Sequence, residues 1–369
     1  MYGTHTLTQA AHIHTSPRYT LARLPTYVQK TSHTRETITM QVVKRFTTHH
    51  EDVIHDLCYD FYGKRLATCS SDQQIKVWDQ DEDGEWQLSA KWKAHAGSIW
   101  KVVWAHPEFG QVLASCSFDK TICIWHEQSD SLGKSRWVLV ATLSDSRDSV
   151  TDIKFSPKHL GLKLAAPSAD GYVRVYEAID VMDLSHWQVL EEFEVSKGGT
   201  GKCMPCISWN PSQFDPPTLV VGTGDSIAKL WEFNESYRRW QQIDALVGHT
   251  GTIHDVCWAP NVGRTYHLIA TGSKDGTVRI WKLNTRAGGK KSKVQEEACF
   301  DDHEAEVWRV EWNITGTVLA SSGDDGVVRL WKANFKHKWT CLSVVSPETE
   351  YAPSASVSSS SSSSAASTQ

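Results

Sequence analysis

The sequence predicts an all-β fold, a propeller of six blades, from two aromatic registers and the turn chemistry between them. In the first register an aspartate sits six residues before an aromatic: Asp72/Trp78, Asp119/Trp125, Asp170/Tyr176, Asp225/Trp231, Asp275/Trp281 and Asp325/Trp331. Successive pairs are 47, 51, 55, 50 and 50 residues apart, and a repeat of about 40–50 residues is the period of propeller blades. A second register adds one aromatic per unit, Tyr59, Trp104, Phe155, Trp209, Trp258 and Trp312, lying 19 to 23 residues before the first. The stretch between them, as in Leu66-Ala-Thr-Cys-Ser-Ser-Asp72, reads as a strand followed by a tight turn.

Taken in order, residues 1–39 come first. The first 35 contain no Asp or Glu and carry Arg18, Arg23, Lys30 and Arg35. That composition is shared with organellar presequences, but Met40 stands directly before the first strand-like run. Residues 1–39 are therefore read as a disordered extension or an early-called start. Met40-Gln-Val-Val-Lys-Arg-Phe46 is a strand candidate. Six units follow, at approximately 47–94, 95–143, 144–195, 196–247, 248–300 and 301–345. The third and fourth should be the least regular, because the third has Tyr176 for Trp and sets Pro167 in a strand, where it cannot donate to the ladder. In the fifth, Val278-Arg-Ile-Trp281 alternates with period two, and Asn284 to Lys293 reads as a surface loop. Residues 346–369, with serines from Ser358 to Ser364, cannot bury a core and are expected to be disordered.

The strand count at the ends has a functional consequence. Trp86, Trp137, Trp187 and Trp240 each begin an outer strand after the first-register aromatic, and Trp339-Thr-Cys-Leu-Ser-Val-Val345 repeats that mark after Trp331. The sixth unit thus supplies its own outer strand and leaves Val42, Val43, Lys44, Arg45 and Phe46 without a place in six complete blades. An open ring with exposed edges invites strands from another polypeptide. The alternative is that residues 40–46 close blade six and the Trp339 segment is tail.

Composition narrows the function classes. The net charge of −5 comes without an evident basic face, so direct nucleic-acid binding is not expected. No apolar run approaches the ~18 residues of a membrane span. Nine cysteines, mostly within strands, suit a reducing compartment. Cys203-Met-Pro-Cys206 has metal-pair spacing but no second pair, and zinc needs four ligands. His, Ser and Asp recur around the ring, whereas a catalytic centre is normally unique, so no enzyme activity, metal or cofactor is assigned. Lys76, Arg174, Lys229, Arg279 and Arg329 stand two before the aromatic, and their shared phase is read as blade packing, with buried stems and the charge snorkelling or paired, over a phosphate-binding ring.

These residues resemble the WD-repeat family, whose fold is a propeller of four-stranded blades. The resemblance extends to a histidine at the loop entering four units: His50, His95, His249 and His303. It implies buried tetrads built on His50/Asp72/Trp78, His95/Asp119/Trp125, His249/Asp275/Trp281 and His303/Asp325/Trp331, each with a strand serine or threonine. Stretches such as Ile54-His-Asp56, Trp104-Ala-His-Pro-Glu-Phe-Gly110, Asp180-Val-Met-Asp-Leu184 and Trp312-Asn-Ile-Thr-Gly316 are similar to the nucleoporin branch related to the COPII outer coat. That resemblance implies a six-bladed open propeller completed in trans by a blade from an α-solenoid nucleoporin. It also implies a place in the Y-shaped scaffold of the nuclear pore at the nuclear envelope, roles in pore assembly and in mRNA and protein transport, and a second role at the lysosome or vacuole in a GATOR-type complex acting on TOR signalling. The alternative within the class is a COPII coat subunit acting in vesicle budding.

Overall fold

The computed structural model describes residues 46–129, 135–196, 204–284 and 294–346. Residues 42–45, Cys203 and the Ser-rich tail named above lie outside them. The described residues form twenty-four strands in six four-stranded antiparallel sheets, each ordered as the chain runs, and contain no α-helix. The molecule is a six-bladed β-propeller. Blade one is β1 (Ile54–Tyr59), β2 (Arg65–Ser70), β3 (Gln74–Gln80) and β4 (Trp86–Lys93), and blade two is β5 (Ile99–Trp104), β6 (Val112–Ser117), β7 (Ile122–Ser129) and β8 (Ser135–Leu143). Blade three is β9 (Lys154–Phe155), β10 (Lys163–Pro167), β11 (Tyr172–Ala178) and β12 (Trp187–Glu194), and blade four is β13 (Cys206–Trp209), β14 (Thr218–Gly222), β15 (Ile227–Asn234) and β16 (Arg239–Val247). Blade five is β17 (Ile253–Trp258), β18 (Tyr266–Ser273), β19 (Val278–Asn284) and β20 (Val294–Phe300), and blade six is β21 (Val307–Trp312), β22 (Val318–Gly323), β23 (Val328–Ala333) and β24 (Trp339–Val345).

Both registers have structural counterparts. Each first-register aromatic lies on the third strand of its blade at a β-bulge, the shifts falling at Val77/Trp78, Ile124/Trp125, Val175/Tyr176, Leu230/Trp231, Ile280/Trp281 and Leu330/Trp331. A bulge adds a residue and re-aims the side chain, which turns each aromatic into the blade. The residue after each turn aspartate has positive φ: Gln73, Lys120, Gly171, Ser226, Gly276 and Gly326. The outer strand of blade six is β24, paired with β23 from Val328↔Val345 to Ala333↔Trp339. The Trp339 segment is therefore the outer strand of blade six and not tail.

Blades three and four have the shortest inner strands. Pairing of β9 with β10 is limited to Leu164↔Phe155 and Ala165↔Lys154, because Pro167 has no N–H to extend the ladder. Its carbonyl instead accepts from Thr151 N at 3.3 Å. In blade four, Gly222 of β14 admits the neighbouring blade. A Cβ there would lie 2.5 Å from Cys206 Sγ and 2.9 Å from Ile253 Cγ2, so glycine is what lets blades four and five approach.

The core is a set of seams between blades. Ile75 and Val77 pack with Ile99 and Trp125 across blades one and two, and Ile124 with Ile153 and Tyr176 across two and three. Val175 meets Ile207 and Trp209 across three and four, Leu230 meets Ile253 and Trp281 across four and five, and Ile280 meets Val307 and Trp331 across five and six. Each fully buried aliphatic contributes about 1.5–3 kcal/mol, so these five seams carry most of the stability of the ring.

Candidate functional site

In four blades the loop histidine, a second-strand hydroxyl, the turn aspartate and the tryptophan meet in one hydrogen-bonded chain. Trp78 Nε1–H donates to Thr68 Oγ1 at 3.2 Å, that hydroxyl to His50 Nε2 at 3.0 Å, and His50 Nδ1–H to Asp72 Oδ2 at 2.7 Å. Blade two joins Trp125, Ser115, His95 and Asp119 by the same contacts at 3.0, 2.8 and 3.1 Å. Blade five runs through Trp281, Thr271, His249 and Asp275 at 2.9, 2.7 and 3.0 Å. Blade six uses Trp331, Ser321, His303 and Asp325 at 2.8, 2.7 and 2.9 Å. The hydroxyls stand ten residues before each tryptophan, so sequence spacing alone contains them.

Burial dictates this order of donors. An isolated indole N–H, hydroxyl or imidazole inside a blade would cost a few kcal/mol, and each here has a partner. The Asp72, Asp119 and Asp275 carboxyls are held below the ordinary aspartate value: burial opposes this, but hydrogen bonds from the histidine or from Thr277 and from loop backbone N–H groups outweigh it. Burial, helped by the Arg279 and Arg329 guanidinium charges, lowers His249 and His303. His95 goes the other way. Burial again works against its charge, but the Asp119 carboxylate wins and pushes it up to about 9. Cys123 Sγ, 3.9 Å from His95 Nδ1, stands where blades five and six carry Arg279 and Arg329, so no cation there opposes the imidazolium.

Blades three and four lack the histidine, and the basic residue of the third strand takes over the aspartate. Arg174, almost fully buried, places Nη2 2.9 Å from Asp170 Oδ2 and Nη1 3.4 Å from Ser146 Oγ, the residue at the histidine position. Lys229 Nζ lies 3.2 Å from Asp225 Oδ2 and donates to Val195 O at 2.6 Å. Sequence reading placed these bases in blade packing, with the charge snorkelling or paired, and did not assign them this substitution. The same base stands in units that keep the histidine, as at Lys76, Arg279 and Arg329, so the sequence alone does not single out this substitution.

The second site is the boundary between blades six and one. Among the described residues no apolar cluster spans it. On the blade-six side, Ala320 and Leu330 gather Val318, Val328 and Leu342; on the blade-one side, Leu66 and Trp78 gather Leu57, Tyr59, Trp86 and Phe46. Phe46 is the described end of the strand candidate. Its ring centroid lies 5.0 Å from that of Trp78 and 6.2 Å from that of Trp86. Toward the channel, Arg309 Nη2 reaches across to His55 O and to Asp56 Oδ1, both at 3.1 Å. The boundary is thus bridged by charge inside and has separate apolar faces outside.

Comparison with known proteins adds two findings. The family model described as WD domain, G-beta repeat, matches residues 40–79, 86–126, 137–177, 240–282 and 294–332. The chain is 49% identical over 326 residues to a protein of Xenopus tropicalis named Nucleoporin SEH1, an alignment covering 83% of this chain and 89% of that protein. It is 48% identical to the Nucleoporin SEH1 proteins of Bos taurus and Homo sapiens, with the same coverage in each case.

Proposed function

This chain belongs to the Nucleoporin SEH1 family of WD-repeat propellers, and from that premise we propose that it is a non-catalytic scaffold subunit of the nuclear pore whose work is to receive strands from a partner. The observation that carries the reading is that, among the described residues, no apolar cluster spans the sixth boundary. Five blade boundaries bury continuous apolar clusters, while the sixth keeps two separate ones, each containing residues of a single blade apart from Phe46. A partner blade laid between Leu330 and Trp78 would extend both clusters and satisfy edge hydrogen bonds. The proposed donor is an α-solenoid nucleoporin of the Y-shaped complex, with pore assembly and mRNA and protein transport as the processes served. A second membership, in a GATOR-type complex regulating TOR signalling at the lysosome or vacuole, uses the same boundary in this reading. The tetrads are proposed as structural and the segment from Val42 to Phe46 as the flank of the receiving edge.

Affinity purification of the full chain tests the reading. Stoichiometric recovery of an α-solenoid nucleoporin is expected, and its loss on replacing half-buried Leu57 and Leu342 together by Asp. Recovery of COPII coat subunits in place of pore proteins would contradict the assignment.

A further inference from the structure

Antiparallel blades sort their loops onto two faces of the propeller. The loops joining first to second and third to fourth strands share one face, and the turn-aspartate and histidine loops share the other. Exposed large apolar side chains collect on the first of these. In blades four to six it carries Phe214, Tyr237, Val262, Ile314 and Phe335, whereas the described loops of the opposite face expose only Phe118 and Met204 around the whole ring. Phe335 is fully exposed and Phe214 nearly so. A lone apolar residue at a surface is ordinary, but five on one face of three consecutive blades mark an interaction surface.

Built turns hold these side chains out. Asn210, Asn234, Asn261, Asn313 and Asn334 each accept a loop N–H on Oδ1, from Ser212, Ser236, Arg264, Thr317 and Lys336 at 3.0, 3.0, 2.9, 2.8 and 2.9 Å. Each exposed apolar residue follows its asparagine within the same loop. Turns fixed in this way lose little freedom when a surface receives their tips.

Charge divides the same face. In blade one its loops carry Asp60, Asp81, Glu82, Asp83 and Glu85 against Lys64. The described loops of blades five and six carry Arg264, Lys336 and Lys338 and no acid. In blade four, Asp215 is taken up by His267 at 3.0 Å, which leaves Glu235 against exposed Arg238 and Arg239. The bases stand beside the apolar tips: the Arg239 guanidinium lies 5.5 Å from the Tyr237 ring centroid, and Lys336 follows Phe335 directly.

We propose that the face of blades four to six docks on an anionic lipid surface, its apolar tips entering the headgroup region and Arg238, Arg239, Lys336 and Lys338 meeting lipid phosphates. A fluid surface takes up separate protruding tips without fitted pockets and attracts the bases beside them. A protein partner would instead bury its anchors in pockets.

The full chain is to be floated with unilamellar vesicles of phosphatidylcholine containing about 30 mol% phosphatidylserine, and with vesicles of phosphatidylcholine alone. Saturable binding to the anionic vesicles is expected, at least about tenfold tighter than to the neutral ones. Tyr237→Ser with Phe335→Ser should weaken it at least about tenfold, and Lys336→Glu with Lys338→Glu likewise. All four side chains are exposed, so circular dichroism should be unchanged in both variants. Phe61→Ser, on the acidic side of the same face, should bind as the parent chain does. No saturable binding to anionic vesicles, undiminished binding by the folded Tyr237/Phe335 variant, or an equal loss in Phe61→Ser would overturn the proposal. A dimer in sedimentation velocity that the Tyr237/Phe335 variant abolishes would overturn it too, and would give the face to a second copy of the chain.

Discussion

At the scale of single residues, the tetrads make stability depend on pH in both directions. Asp72, Asp119 and Asp275 have carboxyls held below the unfolded value, so their contribution is present above about pH 4 and is lost as pH falls through the folded values. His249 and His303 are lowered as well, and the unfolded chain takes up those protons first, which adds to acid lability below about pH 6.5. His95 has the opposite sign. Its pKa is raised to about 9, so its contribution is complete below about pH 6.5 and is lost as pH rises from there through about 9. Proton NMR titration should show His95 as the last of the three to lose its proton, and Cys123→Arg should bring it down toward His249 and His303. An unchanged His95 midpoint in that variant would remove the role given to Cys123. Asp275→Ala removes the carboxylate acceptor of His249 Nδ1 and leaves it only Thr277 Oγ1, at 3.1 Å, while Trp281 keeps Thr271. A loss of about 1–3 kcal/mol in denaturant unfolding is expected.

At the scale of elements, the repeating turn is the sensitive part. The residue after each turn aspartate has a left-handed backbone, with Gly276 at φ +80° and a Cβ there 3.2 Å from Ala305 O. Gly276→Ala is expected to cost about 1–2 kcal/mol, read as a shift in the urea midpoint, whereas a neutral result would mean the turn relaxes. Much at this scale was legible. The Asp-to-aromatic spacing located every third strand, Trp339 located the outer strand of blade six, and Pro167 foretold the short pairing of β9. Other features were not legible, because they depend on partners distant in the chain. The bulge at each first-register aromatic arises from pairing with the outer strand, and the exchange of histidine for Arg174 or Lys229 needs the loop, turn and third strand brought together.

At the scale of the whole molecule, five apolar seams and, among the described residues, one ionic bridge at the sixth boundary support the proposed open ring. Phe46 is the described residue of the leading segment that packs on blade one, and Phe46→Ala should cost only about 1–2 kcal/mol of stability, since the ring is half-buried. Its effect on partner affinity is expected to be larger, at least about tenfold by surface plasmon resonance, because Trp78 and Trp86 would lose the surface that orders the edge. Equal loss of stability and affinity would place Phe46 in the fold alone. The most direct measurement is a cryo-electron-microscopy map of the chain co-purified with the proposed α-solenoid nucleoporin. Partner strands are expected between the Ala320–Leu330 face of blade six and the Leu66–Trp78 face of blade one. A map in which those two faces pack directly on each other, with the partner bound elsewhere, would contradict the open ring.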